Sequence, residues 1–331
     1  MNKIKQKPRM ICDGMKGQNY CFNGCMEYMM ECLGESKEYD YWFFSGITGD
    51  SFTQLYCKNI HDMIFCYSDG FLSKIIKKIF DTCGYDFDYY NKIEENDRKT
   101  YDNMIKAYID NGIPVIAKLG KERIWTEYCI IYGYENDKYY SICGENIERI
   151  VYSEQYFELI FVKEKKNKLL LADVYKNCIL DIPQIINLPE TPEYAFGKKA
   201  FKYWADSFQN TTFDNVPIEN NDIWYTHPDK GFSCWNMHGN YLCILGTNNC
   251  SIGLLEKTLS FNADMDFIRD LIPLYEKINN NGFNELIKMA GGFEIKPQDI
   301  KNKKLMKPIT EKINELADCC EEINNIFKTK I

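Results

Sequence analysis

Cys21 is the residue whose type and setting point most directly to chemistry. It closes the string Gly17-Gln18-Asn19-Tyr20-Cys21. A segment with Met26, Met29, Met30 and Leu33 on one helical face follows at once, and Gly34 stops it. A thiol that opens a helix meets unpaired backbone N–H groups and the positive end of the dipole, and both favour thiolate. The same N–H groups can hold an oxyanion on a carbonyl that the sulfur attacks. The plainer alternative is a buried thiol that merely begins a helix.

The chain holds three His: His61, His227 and His238. His227 sits in Trp224-Tyr225-Thr226-His227-Pro228 and His238 in Trp235-Asn236-Met237-His238-Gly239-Asn240. Each is either an ordinary surface or capping residue, or a group that completes a composite site where two domains meet. Gly49-Asp50-Ser51 is similar to the Gly-Asp-Ser string of an esterase family, but it follows a predicted helix and strand and has no downstream Asp-x-x-His partner. Cys21 and Cys25 stand at i and i+4, yet no second ligand pair follows, so core packing is expected and neither metal nor cofactor is. Cys319-Cys320 reads as a packed pair on an amphipathic helix.

The elements that must position these residues follow from periodicity. Helices are predicted at 22–33, 71–83 and 101–109, the second from apolar pairs four apart (Phe71/Leu72, Ile75/Ile76, Ile79/Phe80). Strands are predicted at 41–45, 113–119, 128–134, 138–143, 158–162 and 169–174, with 128–134 and 138–143 joined at Glu135-Asn136-Asp137. Helices first and an antiparallel sheet after is α+β order. Pro183, Pro189 and Pro192 then break the chain, and the rest is mostly helical, with 196–208, 265–278 and 309–327 as helices. The expected organisation is one domain over residues 1–175 and a mainly helical one over 190–331.

A second signal lies about a hundred residues beyond Cys21: Asn111-Gly112-Ile113-Pro114-Val115, then Glu127-Tyr128-Cys129-Ile130-Ile131-Tyr132-Gly133-Tyr134-Glu135. Together with Cys21 and Gly34, it resembles the papain-like cysteine superfamily, in the branch of the C39-type peptidases and the N-terminal domain of the butirosin biosynthesis protein BtrH. That branch has a Gly thirteen residues after its Cys, a later G-x-P-V, and a strand that starts with the catalytic His and runs into G-Y-[DE]. Gly112, Pro114, Val115, Gly133, Tyr134 and Glu135 match. Gly197-Lys198-Lys199-Ala200-Phe201-Lys202-Tyr203-Trp204-Ala205 resembles the helical region that accompanies such domains.

The resemblance implies a papain-like fold, a Cys21 nucleophile and an acyl or peptide substrate, including one presented on a carrier protein. It implies catalytic places at Cys21, Glu127 and Gln18, and a cleft bounded by the Gly-rich stretch 44–52, with Gly46, Asp50 and Ser51, and by Cys143. The departures are as informative. Glu127 stands where the family has His, Cys143 or its neighbours stand where it has an acidic residue, and Gln18 is three residues before Cys21 rather than about six. Glu127 is expected to face Cys21 at about 4–6 Å, where its charge opposes thiolate formation.

Bulk properties exclude some classes. The 331 residues are 45% hydrophobic and 15% aromatic, enough for a sizeable core. The net charge is −8, and the most basic run, 163–168, is interrupted by Glu164, so nucleic acid is not an expected partner. No apolar run approaches the roughly 18–20 residues of a membrane span. The basic start, residues 1–8, lacks the apolar stretch of a signal peptide. The 15 Cys form no regular frame, which fits reduced thiols and a cytoplasmic protein. A homo-oligomer is compatible with all of this. Two functions stand: a cysteine acyltransferase or peptidase acting through Cys21, or a papain-like binding protein that has lost the His and Asp of its triad.

Overall fold

The computed structural model describes residues 2–58, 64–120, 126–144, 146–167, 170–209, 250–280, 285–290 and 302–330. In chain order the elements are β1 (Asn2–Lys3), α1 (Cys21–Cys32), α2 (Tyr41–Thr48), β2 (Leu55–Cys57), α3 (Tyr67–Cys83), β3 (Tyr85–Tyr90) and α4 (Arg98–Asp110). Strands β4 (Val115–Leu119), β5 (Glu127–Glu135), β6 (Lys138–Cys143), β7 (Asn146–Tyr152) and β8 (Tyr156–Lys165) follow. Then come α5 (Leu171–Leu180), α6 (Ile182–Ile186), β9 (Tyr194–Phe196), α7 (Lys198–Gln209), α8 (Cys250–Phe261), α9 (Ile268–Asn280), α10 (Leu286–Ala290) and α11 (Lys303–Lys330). The fold is α+β. None of the described helices is long and apolar enough to cross a membrane.

The chain divides into two compact units, Met1–Asp50 with Ser68–Tyr175, and Ser51–Tyr67 with Lys176–Ile331. The short segment 51–67, which the sequence places in the first domain, thus clusters with the second unit. In the first unit, seven described strands form one sheet in the order β3-β8-β4-β5-β6-β7, with β1 added on β5. Every pairing is antiparallel. Asn136, at φ 55, turns β5 into β6, a backbone region that Asn tolerates better than most residues. β1 passes so close to β5 that a Cβ on Gly133 would lie 2.6 Å from Lys3 Cγ, so the glycine of the G-Y pair has a packing reason.

Helix α1 packs against α2 and β5. Its Met26, Met29 and Met30 are buried, and Gly34, at φ 77, ends it as the spacing predicts. Helix α4 closes on the sheet through Ile105 and Ile109, and Asp102 accepts hydrogen bonds from Tyr139 (2.5 Å) and Tyr156 (2.7 Å).

Two predicted strands are helices. Residues 41–45 belong to α2: the aromatic run Tyr41-Trp42-Phe43-Phe44 has strand propensity, but Asp40 caps the Phe43 N–H at 3.0 Å and Gly49 takes the left-handed conformation at φ 83. The two caps and burial of both helix faces override propensity, and Gly46 is therefore helical rather than part of a loop. Of the predicted strand 169–174, residues 171–174 belong to α5, and residue 169 lies outside the described residues. The buried set there, Val174, Tyr175, Cys178 and Ile179, has helical spacing that the short Leu-rich stretch alone did not reveal.

Among the described residues, the second unit contains the two-stranded antiparallel sheet β2-β9, and its other elements are helices. Helix α7 lies along α11 and buries Ala200, Phe201, Trp204 and Ala205, the stripe visible in the sequence.

Candidate functional site

Cys21 is the first residue of α1 and is partly exposed. Tyr20, at the N-cap, contributes no side-chain hydrogen bond to the first turn, and its own N–H donates to Tyr41 Oη at 2.8 Å. The helix-start setting expected from Gly17–Cys21 is therefore present. The rest of the surroundings work against thiolate.

Cys12, on the segment before α1, brings its Sγ to 3.7 Å from Cys21 Sγ, the distance of an S–H···S hydrogen bond. The neighbouring Cys12 sulfur is the largest cause that raises the Cys21 pKa well above the ordinary thiol value; burial and the charges of Glu127 and Cys143 push the same way. The Cys12 backbone is fixed. Ile11 N–H and Cys12 N–H both donate to Gly144 O, at 3.1 and 3.4 Å. Gly144 itself stands beside the sulfur, since a Cβ built there would lie 3.9 Å from Cys21 Sγ.

Glu127 opens β5, and its partner is Arg149 on β7, with which it forms a hydrogen-bonded ion pair. No hydrogen bond joins Glu127 to Cys21 among the described residues, and its influence on the thiol is through charge. The strand register explains the pairing. Cys129 lies opposite Cys143, and Ser141 lies opposite Arg149, so alternation brings Glu127, Cys129, Ser141, Cys143 and Arg149 to one face.

Cys143, at the end of β6, behaves unlike its neighbours. A hydrogen bond from Cys129 lowers its pKa, Ser141 Oγ at 3.5 Å and the Arg149 charge add to this, and burial and Glu127 oppose it. Cys129 and Cys25 are both fully buried and are pushed up chiefly by burial. The strand end thus carries a cluster of thiols with one cation, Arg149, at its margin.

The other expected site residues fall elsewhere. Gln18 is half-buried, its backbone N–H donates to Asp13 O at 3.0 Å, and no hydrogen bond links it to Cys21 among the described residues. Asp50 is buried and accepts from Asn23 Nδ2 (3.0 Å), Ser68 N–H (2.8 Å) and Ser68 Oγ (2.6 Å). Burial raises its pKa despite these bonds. Its geometry is that of a tie between α1 and the start of α3. Ser51 is buried and belongs to the second unit. His61, His227 and His238 lie outside the described residues.

Sequence reasoning missed Cys12 and Arg149. Cys12 sits in a stretch without periodicity, and only the fold brings it to Cys21. Arg149 carries a weak signal, the alternation of 146–152, which reads as an edge strand but names no partner. Among the described residues, no group of three or more His, Cys, Asp or Glu is arranged to hold a metal ion. No protein-family model matches the chain, and no curated protein matches it.

Proposed function

We propose that the first unit is a papain-like domain that binds an acyl or peptide group, free or presented on a carrier protein, without cleaving it. The observation that carries this reading is the Cys12–Cys21 contact at 3.7 Å, which together with burial pushes the candidate nucleophile's pKa up. A cysteine nucleophile must lose its proton near neutral pH, usually to a base or under the influence of a cation. Glu127, at the position where the resemblance has His, is committed to Arg149 and adds negative charge beside the sulfur.

A second reading keeps Cys21 as an acyl-transfer or hydrolytic nucleophile. What favours it is the placement of Cys21 as the first residue of α1, with first-turn amides that no side chain at the N-cap occupies.

One assay separates them. The protein is mixed with an acyl-pantetheine thioester, and binding and thiol release are followed together. Saturable binding without release supports the binding reading; catalytic release that vanishes in Cys21→Ser overturns it. In parallel, Glu127→His should speed Cys21 alkylation at neutral pH if the site descends from a Cys–His pair. No change in alkylation or binding would show that position 127 does not bear on Cys21.

A further inference from the structure

Cys12 and Cys21 are two thiols from different segments, held in contact by backbone anchors and without a bond between them. Their sulfurs are 3.7 Å apart, against roughly 2.0 Å in a disulfide. The residues are nine apart in sequence, so the ring they would close is short and the loss of chain freedom small. Cys21 is partly exposed while Cys12 is buried, so Cys21 is the member of the pair nearer solvent. The wall beside Cys21 is Gly144, which has no side chain to block an incoming group.

We propose that Cys12 and Cys21 form a reversible dithiol–disulfide site that is oxidised by a low-molecular-weight disulfide. The site does not depend on whether Cys21 ever attacks a carbonyl, so it stands apart from both readings above.

The exchange balances without any further reagent. Cys21 loses its proton, and its sulfur attacks one sulfur of RSSR. The Cys21–SR bond forms, the RS–SR bond breaks, and RS⁻ leaves and takes up a proton. Cys12 then loses its proton and its sulfur attacks Cys21 Sγ, expelling the second RS⁻, which is protonated in turn. Two protein thiols have become one disulfide, and one RSSR has become two RSH. The raised pKa of Cys21 makes the first step slow near neutral pH and faster in mild alkali.

Oxidation would remove the Cys21 thiol from any chemistry or contact and tie the segment before α1 to the start of the helix. Cys129 and Cys143, also opposite each other, are the natural competitors. They are both buried within the sheet, and neither has the exposure of Cys21.

The test uses the full chain. It is incubated with oxidised glutathione at mildly alkaline pH, quenched in acid, alkylated and mapped by mass spectrometry. The Cys12–Cys21 disulfide should form roughly tenfold or more faster than any other, because contact sets a high effective concentration. Dithiothreitol should reverse it. Cys12→Ser should stop at a glutathione adduct on Cys21, and Cys21→Ser should abolish the cross-link. Equal alkylation of Cys12 and Cys21 before and after oxidation would overturn the proposal, as would a Cys129–Cys143 disulfide formed in preference. The wild-type map decides by itself if a variant fails to fold.

Discussion

Arg149 on β7 reaches past β6 to form an ion pair with Glu127 at the start of β5. The two side chains are 27% and 35% exposed, so water weakens but does not cancel the pair. Its importance is local. It places a positive charge next to Cys143, and it balances the carboxylate that acts on Cys21.

Arg149→Gln should therefore leave Glu127 uncompensated. Cys21 alkylation at pH 8 should slow by roughly three- to tenfold, the effect of a pKa rise of up to about one unit. Stability should fall by no more than about 1 kcal/mol, because the pair is partly exposed. Glu127→Gln should act in the opposite direction on the same rate. Identical rates in wild type and both variants would show that this pair does not govern the thiol.

The pH profile gives a separate check. With its pKa well above the ordinary value, Cys21 should keep gaining alkylation rate, about tenfold per pH unit, beyond pH 9, where an unperturbed thiol levels off. The stability sign follows from the same direction. A folded pKa above the unfolded one means that the native state holds its proton more tightly. That contribution is fully present below the unfolded value near 8.5 and is lost as pH rises through the folded one. Cys25 and Cys129 have the same sign. Urea midpoints should fall from about pH 8.5 upward, and Cys25→Ala should flatten that fall. A plateau of the Cys21 rate by pH 9 would contradict the profile.

How much of this was legible is best seen residue by residue. Cys21 and Gly34 bracket α1 because the sequence carries both a periodic Met face and a terminating glycine. The β5–β6 hairpin is readable because alternation and Asn136 agree. Residues 41–48 mislead because aromatic residues favour strands in general, whereas the decisive signals, Asp40 and Gly49, are single caps at the ends. The site is harder. Glu127 is placed by spacing along one strand, but Arg149 joins it and Cys12 joins Cys21 through pairings that depend on how distant segments fold, and no local pattern encodes these.

Lys118 tests which ion pairs hold the first unit together. It is buried on β4, 3.2 Å from Asp69 Oδ1 and 3.8 Å from Glu158 Oε1, and its ammonium lies 4.9 Å from the centre of the Tyr128 ring. Glu158 also accepts from Tyr89 Oη (2.6 Å) and Tyr128 Oη (3.2 Å). Removing one member of a buried set strands the remaining charges, so Lys118→Met should cost about 3–5 kcal/mol. The exposed pair Lys77–Asp81 is the contrast: its side chains are 79% and 61% exposed, and Lys77→Met should cost less than about 0.5 kcal/mol. Urea unfolding measures both, and similar losses would mean that the Lys118 set is not buried in solution.

Gly24 sets local helix propensity against packing, and packing should win. It lies in the first turn of α1, where alanine is intrinsically favoured by up to about 1 kcal/mol. A Cβ at this position, however, would fall 1.6 Å from Ile11 O and 2.5 Å from Ile11 C. These are backbone atoms of the segment that carries Cys12, and Ile11 is fully buried with its N–H on Gly144 O. The segment cannot yield by a change of rotamer; it must move as backbone. Gly24→Ala should therefore destabilise the protein by about 1–3 kcal/mol, the usual cost of overpacking, rather than stabilise it. It should also carry Cys12 away from Cys21, removing the contact that is the largest cause of the raised thiol pKa. Cys21 alkylation at neutral pH should then rise while oxidative cross-linking to Cys12 slows. A stabilised Gly24→Ala protein with unchanged Cys21 reactivity would show that the 11–12 segment does not pack on α1, and the Cys12–Cys21 contact would fall with it.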